Sequence, residues 1–156
     1  MKIILTVILI TLSLSSYSQK FSISLYQDAK LLLMTDGYKN DPPTLDMVAK
    51  FKFSGKFLHA TLGIEQANLY SGSLTRFSFG GGVHYRYKFI EVSQEINYGY
   101  LLRPFSDSWS YGADTEISFF VSKKISLIGM IQVVNRTDWN RDFIRWSGFI
   151  GVGYNF

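Results

Sequence analysis

The sequence predicts an all-β protein, an eight-stranded antiparallel up-and-down β-barrel that crosses a membrane. Three observations predict it. Segments of period-two alternation recur along the chain, each roughly ten to fourteen residues long. That exceeds the ~5–6 residues of an ordinary globular strand and suits the ~9–11 that cross a bilayer at a tilt. Tight turns alternate with longer connections, as transmembrane barrels arrange them on their two sides. Finally, the closing stretch puts Ile144, Trp146, Gly148, Ile150, Val152, Tyr154 and Phe156 on one face, against Arg145, Ser147, Phe149, Gly151, Gly153 and Asn155 on the other. Side chains alternate faces along a strand, so one side is apolar and aromatic and the other mostly polar or small.

The first segment, Phe21 to Met34, sets Phe21, Ile23, Leu25, Ala29, Leu31 and Leu33 against Ser22, Ser24, Tyr26, Asp28 and Lys30. A loop from Asp36 to Pro43 ends it. The second, Leu45 to Ser54, opposes Met47, Ala49, Phe51 and Phe53 to Asp46, Lys50 and Lys52, and Gly55-Lys56 turns the chain. The third, Phe57 to Leu69, places Leu58, Ala60, Leu62 and Ile64 opposite His59, Thr61, Gly63 and Glu65. The fourth, Thr75 to Tyr87, carries Phe77, Phe79, Val83, Tyr85 and Tyr87 on one side and Arg76, Ser78, Gly80, Gly82, His84 and Arg86 on the other.

A turn at Lys88 and Phe89 leads to the fifth, Ile90 to Leu101, with Ile90, Val92, Ile96, Tyr98 and Tyr100 opposing Glu91, Ser93, Glu95 and Asn97. A loop from Arg103 to Ser110 follows, containing Pro104 and Trp109. The sixth, Tyr111 to Val121, alternates Tyr111, Ala113, Ile117 and Phe119 with Gly112, Asp114, Glu116 and Ser118, and Ser122-Lys123-Lys124 turns tightly. The seventh, Ile125 to Asn135, is apolar on both faces; Gln132 and Arg136 set Leu127, Ile131 and Val133 outward. A polar loop from Thr137 to Asp142 precedes the closing strand.

The amino terminus reads as a signal peptide. Lys2 supplies the positive start, Ile3 to Leu14 is nearly all apolar, and a serine-rich stretch leads to cleavage near Ser18 or Gln19. The expected organisation is therefore residues 1–19 as signal peptide and residues 20–156 as one barrel domain. The apolar run is shorter than the ~20 residues of a membrane-spanning helix. With no cysteine there is neither a lipobox nor a disulfide framework. Mean hydropathy of +0.08 is what a barrel shows when its lipid-facing and lumen-facing residues average out, and 17% aromatic residues suit interfacial girdles. The net charge of +4 is scattered singly, so no nucleic-acid patch is expected.

Eight strands enclose room for a layer of side chains, which the Phe, Tyr, Ile and Leu set would overfill. The apolar set therefore faces outward in the expected barrel, and a soluble periplasmic ligand-binding barrel, with the opposite polarity, is the alternative. The interior candidates are Lys50, Lys52, His59, Glu65, Arg76, His84, Arg86, Glu91, Glu95, Asp114, Glu116 and Arg145. They read as a charge-balanced plug that fills the lumen, since buried charges must pair with one another or with water.

For chemistry, His59 and His84 are the best candidates, on adjacent strands near one turn end, with Glu91, Thr61 and Ser93 as the other members of a hydroxyl-histidine-carboxylate set. Their inward placement favours a structural network. Gly80-Gly81-Gly82 has no following helix and reads as close strand packing rather than a phosphate loop. No cofactor and no metal site is expected, as the donors are scattered carboxylates and two histidines. Arg103, Trp109, Trp139 and Arg141 are the expected loop contacts, suited to lipopolysaccharide phosphates, to a protein partner or to anchoring at the membrane interface.

On these residues the chain resembles the small eight-stranded outer-membrane β-barrels of diderm bacteria, the porin-like OmpA and OmpX type. Its Phe156, with Tyr154 and Val152, is similar to the terminal aromatic signal that the barrel-assembly machinery reads in such proteins. The resemblance implies an outer-membrane location, outer-membrane lipids and that machinery as partners, and a non-enzymatic role in envelope integrity or surface interaction. Lipid A-modifying barrel enzymes share the architecture. They carry catalytic groups toward the membrane, and His59-Ala60-Thr61 has a threonine where that family has a serine, while His84-Tyr85-Arg86 has none.

Overall fold

The computed structural model describes residues 20–29, 46–69, 72–103, 107–138 and 141–156. Their alternating segments form eight strands: β1 (Lys20–Asp28), β2 (Asp46–Ser54), β3 (Leu58–Leu69), β4 (Gly72–Tyr87), β5 (Ile90–Leu102), β6 (Ser108–Phe120), β7 (Ile125–Asp138) and β8 (Arg141–Asn155). Each pairs antiparallel with the next, and β8 returns to β1 to close the barrel. At that seam Ile23 faces Tyr154, Leu25 faces Val152 and Gln27 faces Ile150. Phe156 N donates to Phe21 O at 3.0 Å, and the two rings pack with centroids 5.0 Å apart. Closure leaves no unpaired strand edge, a requirement wherever lipid rather than water surrounds the backbone.

Polarity runs opposite to that of a water-soluble barrel. Leu62, Phe79, Ile96, Ile131, Trp146 and Ile150 stand outward, Ile96 at 75% and Trp146 at 72% exposure, while Arg76 and Glu116 on the inward face are 1% and 2% exposed. An apolar belt that covers the whole circumference can be stable only against hydrocarbon, since in water each such side chain forfeits roughly 1.5–3 kcal/mol of burial. The inward-facing soluble arrangement is thus not the one this chain adopts. Aromatic residues collect at both rims: Phe53, Phe57, Tyr87, Phe89 and Tyr154 at the turn end, Tyr98, Tyr100 and Trp109 at the other.

Several boundaries differ from the sequence expectation. β1 ends at Asp28, and residues 30–34 of the longer expected strand lie outside the described residues. β4 begins three residues early at Gly72, β6 three early at Ser108, β7 extends to Asp138, and β8 starts at Arg141 instead of Ile144. Each extension has a hairpin partner, such as Leu69 with Gly72, Leu101 with Ser108 and Asp138 with Arg141. Ladder pairing satisfies the backbone past the point where apolar alternation stops, so polar composition alone did not end these strands. Trp109 is accordingly corrected from loop to strand. It points outward from β6, stacks on Tyr98 at 5.1 Å and meets Tyr100 edge-on at 4.8 Å.

The turn end is compact. Gly55 N donates to Leu58 O at 2.8 Å, and Ser122 Oγ accepts from the backbone of Lys124 and Ile125. Lys88 makes the β4–β5 turn at φ 54°, a left-handed conformation that Gly or Asn adopts at less cost.

Candidate functional site

The lumen holds the concentration of polar chemistry. Inward positions on β2, β5 and β6 bring Lys50, Glu95, Asp114 and Glu116 to one level, because the register sets Glu95 opposite Asp114 and the barrel curves β2 across from them. Lys50 Nζ spends its three protons on three carboxylates: Asp114 at 2.6 Å, Glu116 at 2.9 Å and Glu95 at 3.1 Å. Lys52 Nζ reaches the other Glu116 oxygen at 2.6 Å and Ser93 Oγ at 3.2 Å, and Tyr26 donates its hydroxyl to Glu116 at 3.2 Å. All are buried. Charges so desolvated stay inside only when each is paired and hydrogen-bonded, and these geometries meet that condition.

Two further cation sites sit toward the loop end. Arg76 donates to Ser110 Oγ at 2.7 Å and to Asn97 Oδ1, and lies 3.8 Å from Glu65. Arg145 donates to Asp46 at 3.0 Å and lies 3.6 Å from Asp28. Glycines make the room. A Cβ at Gly80 would stand 2.8 Å from Thr61 Oγ1 and 3.0 Å from Glu95 Oε1, and one at Gly99 would stand 2.9 Å from Arg76 Nε. Small residues on the inward face are therefore the steric counterpart of the large ion-paired side chains across from them.

Among the interior candidates, Lys50, Lys52, His59, Glu65, Arg76, His84, Glu95, Asp114 and Glu116 are buried, and Arg145 is partly so. Arg86 departs from the interior expectation. It is exposed at the turn-end mouth, which it lines with His84 and Glu91, its guanidinium 3.5 Å over the Phe120 ring and its Nε donating to Lys88 O, because the lumen opens to solvent at the strand end. Glu91 is half-buried at the same mouth. Among the described side chains, the buried or part-buried cations are Lys50, Lys52, Arg76 and Arg145, and the buried anions are Asp28, Asp46, Glu65, Glu95, Asp114 and Glu116.

His59 and His84 lie together, ring centroids 5.7 Å apart. His59 Nε2 is 3.4 Å from Glu95 Oε2, so the carboxylate beside this imidazole is Glu95 rather than Glu91, while Ser93 pairs with His84 in the β4–β5 register. Both rings face the lumen and are under 9% exposed, away from the lipid face that a lipid-editing site has to reach. Among the described residues no group of three His, Cys, Asp or Glu is arranged to hold a metal.

Sequence reasoning missed the apolar part of the lumen. Tyr26, Val48, Ile128, Met130 and Phe149 form one buried cluster, and Ala67, Leu74 and Leu101 a second. The signal was present in β7, where Ile128 and Met130 are as apolar as Leu127 and Ile131. Of the loop candidates, Arg103 N donates to Asp107 Oδ1 at 3.2 Å, Arg141 opens β8, and Trp139 lies outside the described residues.

No protein-family model matches the chain, and no curated protein sequence matches it. Its fold does match solved structures. The outer-membrane protein Ail of Yersinia pestis, in a phospholipid bilayer nanodisc, superposes with TM-score 0.60 at 16% identity, covering 88% of this chain and 98% of that one. The N-terminal β-barrel domain of Pseudomonas aeruginosa OprF gives TM-score 0.54 at 10% identity over 88% and 97% of the two chains. A de novo designed transmembrane β-barrel gives 0.53 at 17% identity over 88% and 94%. The chain thus has the fold of the eight-stranded outer-membrane barrels. That a designed sequence shares it shows how little this fold commits a protein to one activity.

Proposed function

We propose that this chain is a non-enzymatic outer-membrane β-barrel of a diderm bacterium, exported through the signal peptide expected at residues 1–19, whose lumen is closed by ion-paired side chains. It acts in envelope integrity or surface interaction through the segments at its loop end, where lipopolysaccharide or a protein partner is the expected contact. The observation that carries the reading is the inverted polarity, with an apolar belt outside and the Lys50 cluster within. A lumen whose central cation satisfies three carboxylates at once is built to stay filled. The inward rings of His59 and His84 favour a structural role over lipid editing.

Phe156, Tyr154 and Val152 are the proposed docking element for the barrel-assembly machinery, with Tyr154 and Phe156 packed edge-on at 5.0 Å on the barrel's outer wall. Arg103, Trp109 and Arg141 belong to the loop-end rim, Trp109 as an interfacial anchor. The test is cell fractionation with heat-modifiable gel migration. Recovery in the outer-membrane fraction with a folded band that shifts on boiling is expected; recovery in the soluble periplasm would contradict the reading. An unchanged lipid A mass profile on deleting the gene is expected as well, and a changed one restored by wild type but not by a His59→Ala, His84→Ala variant would establish the enzyme instead.

A further inference from the structure

Charge is distributed unequally between the two ends of the barrel. The turn end carries Lys20, Lys56, Arg86, Lys88, Lys123 and Lys124, all exposed, and Glu91 is the acidic side chain among them. The segments joining strands at the other end, 29–45, 103–107 and 138–142, hold four basic and five acidic residues by sequence. One end is a cationic collar and the other has little net charge.

Three of these cations are placed on the membrane-facing side of the rim. Lys56 Nζ lies 5.2 Å from the Phe57 ring centroid, Lys88 Nζ 5.2 Å from that of Tyr87, and Lys124 Nζ 5.8 Å from that of Tyr154. Those rings are outward and 53%, 60% and 41% exposed. They belong to three different turns or hairpins, so the ammonium groups are spread around the circumference. An aromatic ring at a barrel rim sits at the level of lipid headgroups, and a lysine resting on it holds its charge at the depth of the phosphates. Lys88, moreover, occupies its left-handed backbone position although Gly or Asn would relieve the strain there. The strained site gives up backbone comfort and keeps a charge at the rim.

We propose that the turn-end collar binds the phosphates of anionic glycerophospholipids in the leaflet it faces, with Lys56, Lys88 and Lys124 as its principal contacts. The assignment rests on the membrane-barrel reading and goes beyond it by naming a lipid class and a leaflet: with short turns toward the periplasm, the leaflet is the periplasmic one. Lipid is favoured over a dissolved anion because each of the three ammonium groups lies within 5.8 Å of the centroid of an outward aromatic ring of the rim, Lys56 at the edge of the mouth as well. Each lysine near an anionic surface contributes roughly a five-fold preference, and three act together.

The test exchanges the purified full protein into nanodiscs of equal phosphatidylglycerol and phosphatidylcholine and counts co-released lipids by native mass spectrometry. Wild type is expected to retain phosphatidylglycerol over phosphatidylcholine. A Lys56→Gln, Lys88→Asn, Lys124→Gln variant, shown to be folded by heat-modifiable migration, is expected to lose that preference by about ten-fold or more. Equal retention of both lipids by wild type, or an undiminished preference in the folded variant, would overturn the assignment. Binding of soluble polyphosphate without lipid preference would move the occupant into solution and overturn it too. Failure of wild type to enter bilayers at all would sink the membrane reading as well, whereas a folded barrel without lipid preference sinks only this inference.

Discussion

The lumen is packed by two unlike walls. Along β2, β5 and β6 it is held by charge: Lys50 and Lys52 against Glu95, Asp114 and Glu116. Along β1, β7 and β8 it is held by shape: Tyr26, Ile128, Met130 and Phe149, with Val48 joining from β2. Tyr26 belongs to both, its ring in the apolar cluster and its hydroxyl on Glu116. The two walls respond differently to loss of a side chain. A truncated apolar residue leaves a cavity whose cost depends on how far neighbours relax, whereas a removed carboxylate leaves desolvated ammonium groups short of a partner, Lys50 with two carboxylates of its three and Lys52 with Ser93 alone in the case of Glu116.

The comparison can be broken most sharply at Glu116, which contacts both lysines. Glu116→Ala is expected to cost about 3–5 kcal/mol, measured by urea unfolding in lipid vesicles, because two buried cations lose a partner. A cost below 1 kcal/mol would mean that water already solvates the charged wall. Met130→Ala, on the apolar wall, is expected to cost about 2–4 kcal/mol in the same assay. Arg145→Gln comes next, about 1–2 kcal/mol, since its side chain is 20% exposed and solvent shares the work of its pair with Asp46. Smallest is Lys88→Asn, outside both walls, expected to stabilise by roughly 0.5–1 kcal/mol through relief of the left-handed backbone. Raising salt to 1 M separates the classes again: it leaves the Lys50 cluster unmoved and weakens the exposed rim.

The outward face was legible because period-two alternation is unambiguous wherever one partner set is polar, as in β3 with His59, Thr61 and Glu65 between Leu58, Ala60, Leu62 and Ile64. The charged wall followed from the same alternation. In β7 both faces are apolar, and only Gln132 and Arg136 give the alternation its sign, setting Leu127 and Ile131 outward and so Ile128 and Met130 inward; that these two meet Phe149, Tyr26 and Val48 in one cluster depends on closure of the barrel. Tyr26 was placed inward by its pattern, but its bond to Glu116, 90 residues away, depends on barrel closure, which no local signal encodes. Arg86 fails for a different reason. Backbone parity points its Cβ inward, but at the strand end that face opens on the solvent-exposed mouth, where the guanidinium stacks on Phe120. Strand ends were misread wherever ladder pairing outlasted the apolar belt, which is how Trp109 came to be expected in a loop.

The central claim is that the two walls together fill the lumen. Planar-bilayer conductance of the purified protein tests it most directly: current at the level of the protein-free membrane is the expected result, and steady, reproducible channel openings would show a water-filled path between the walls and contradict the account.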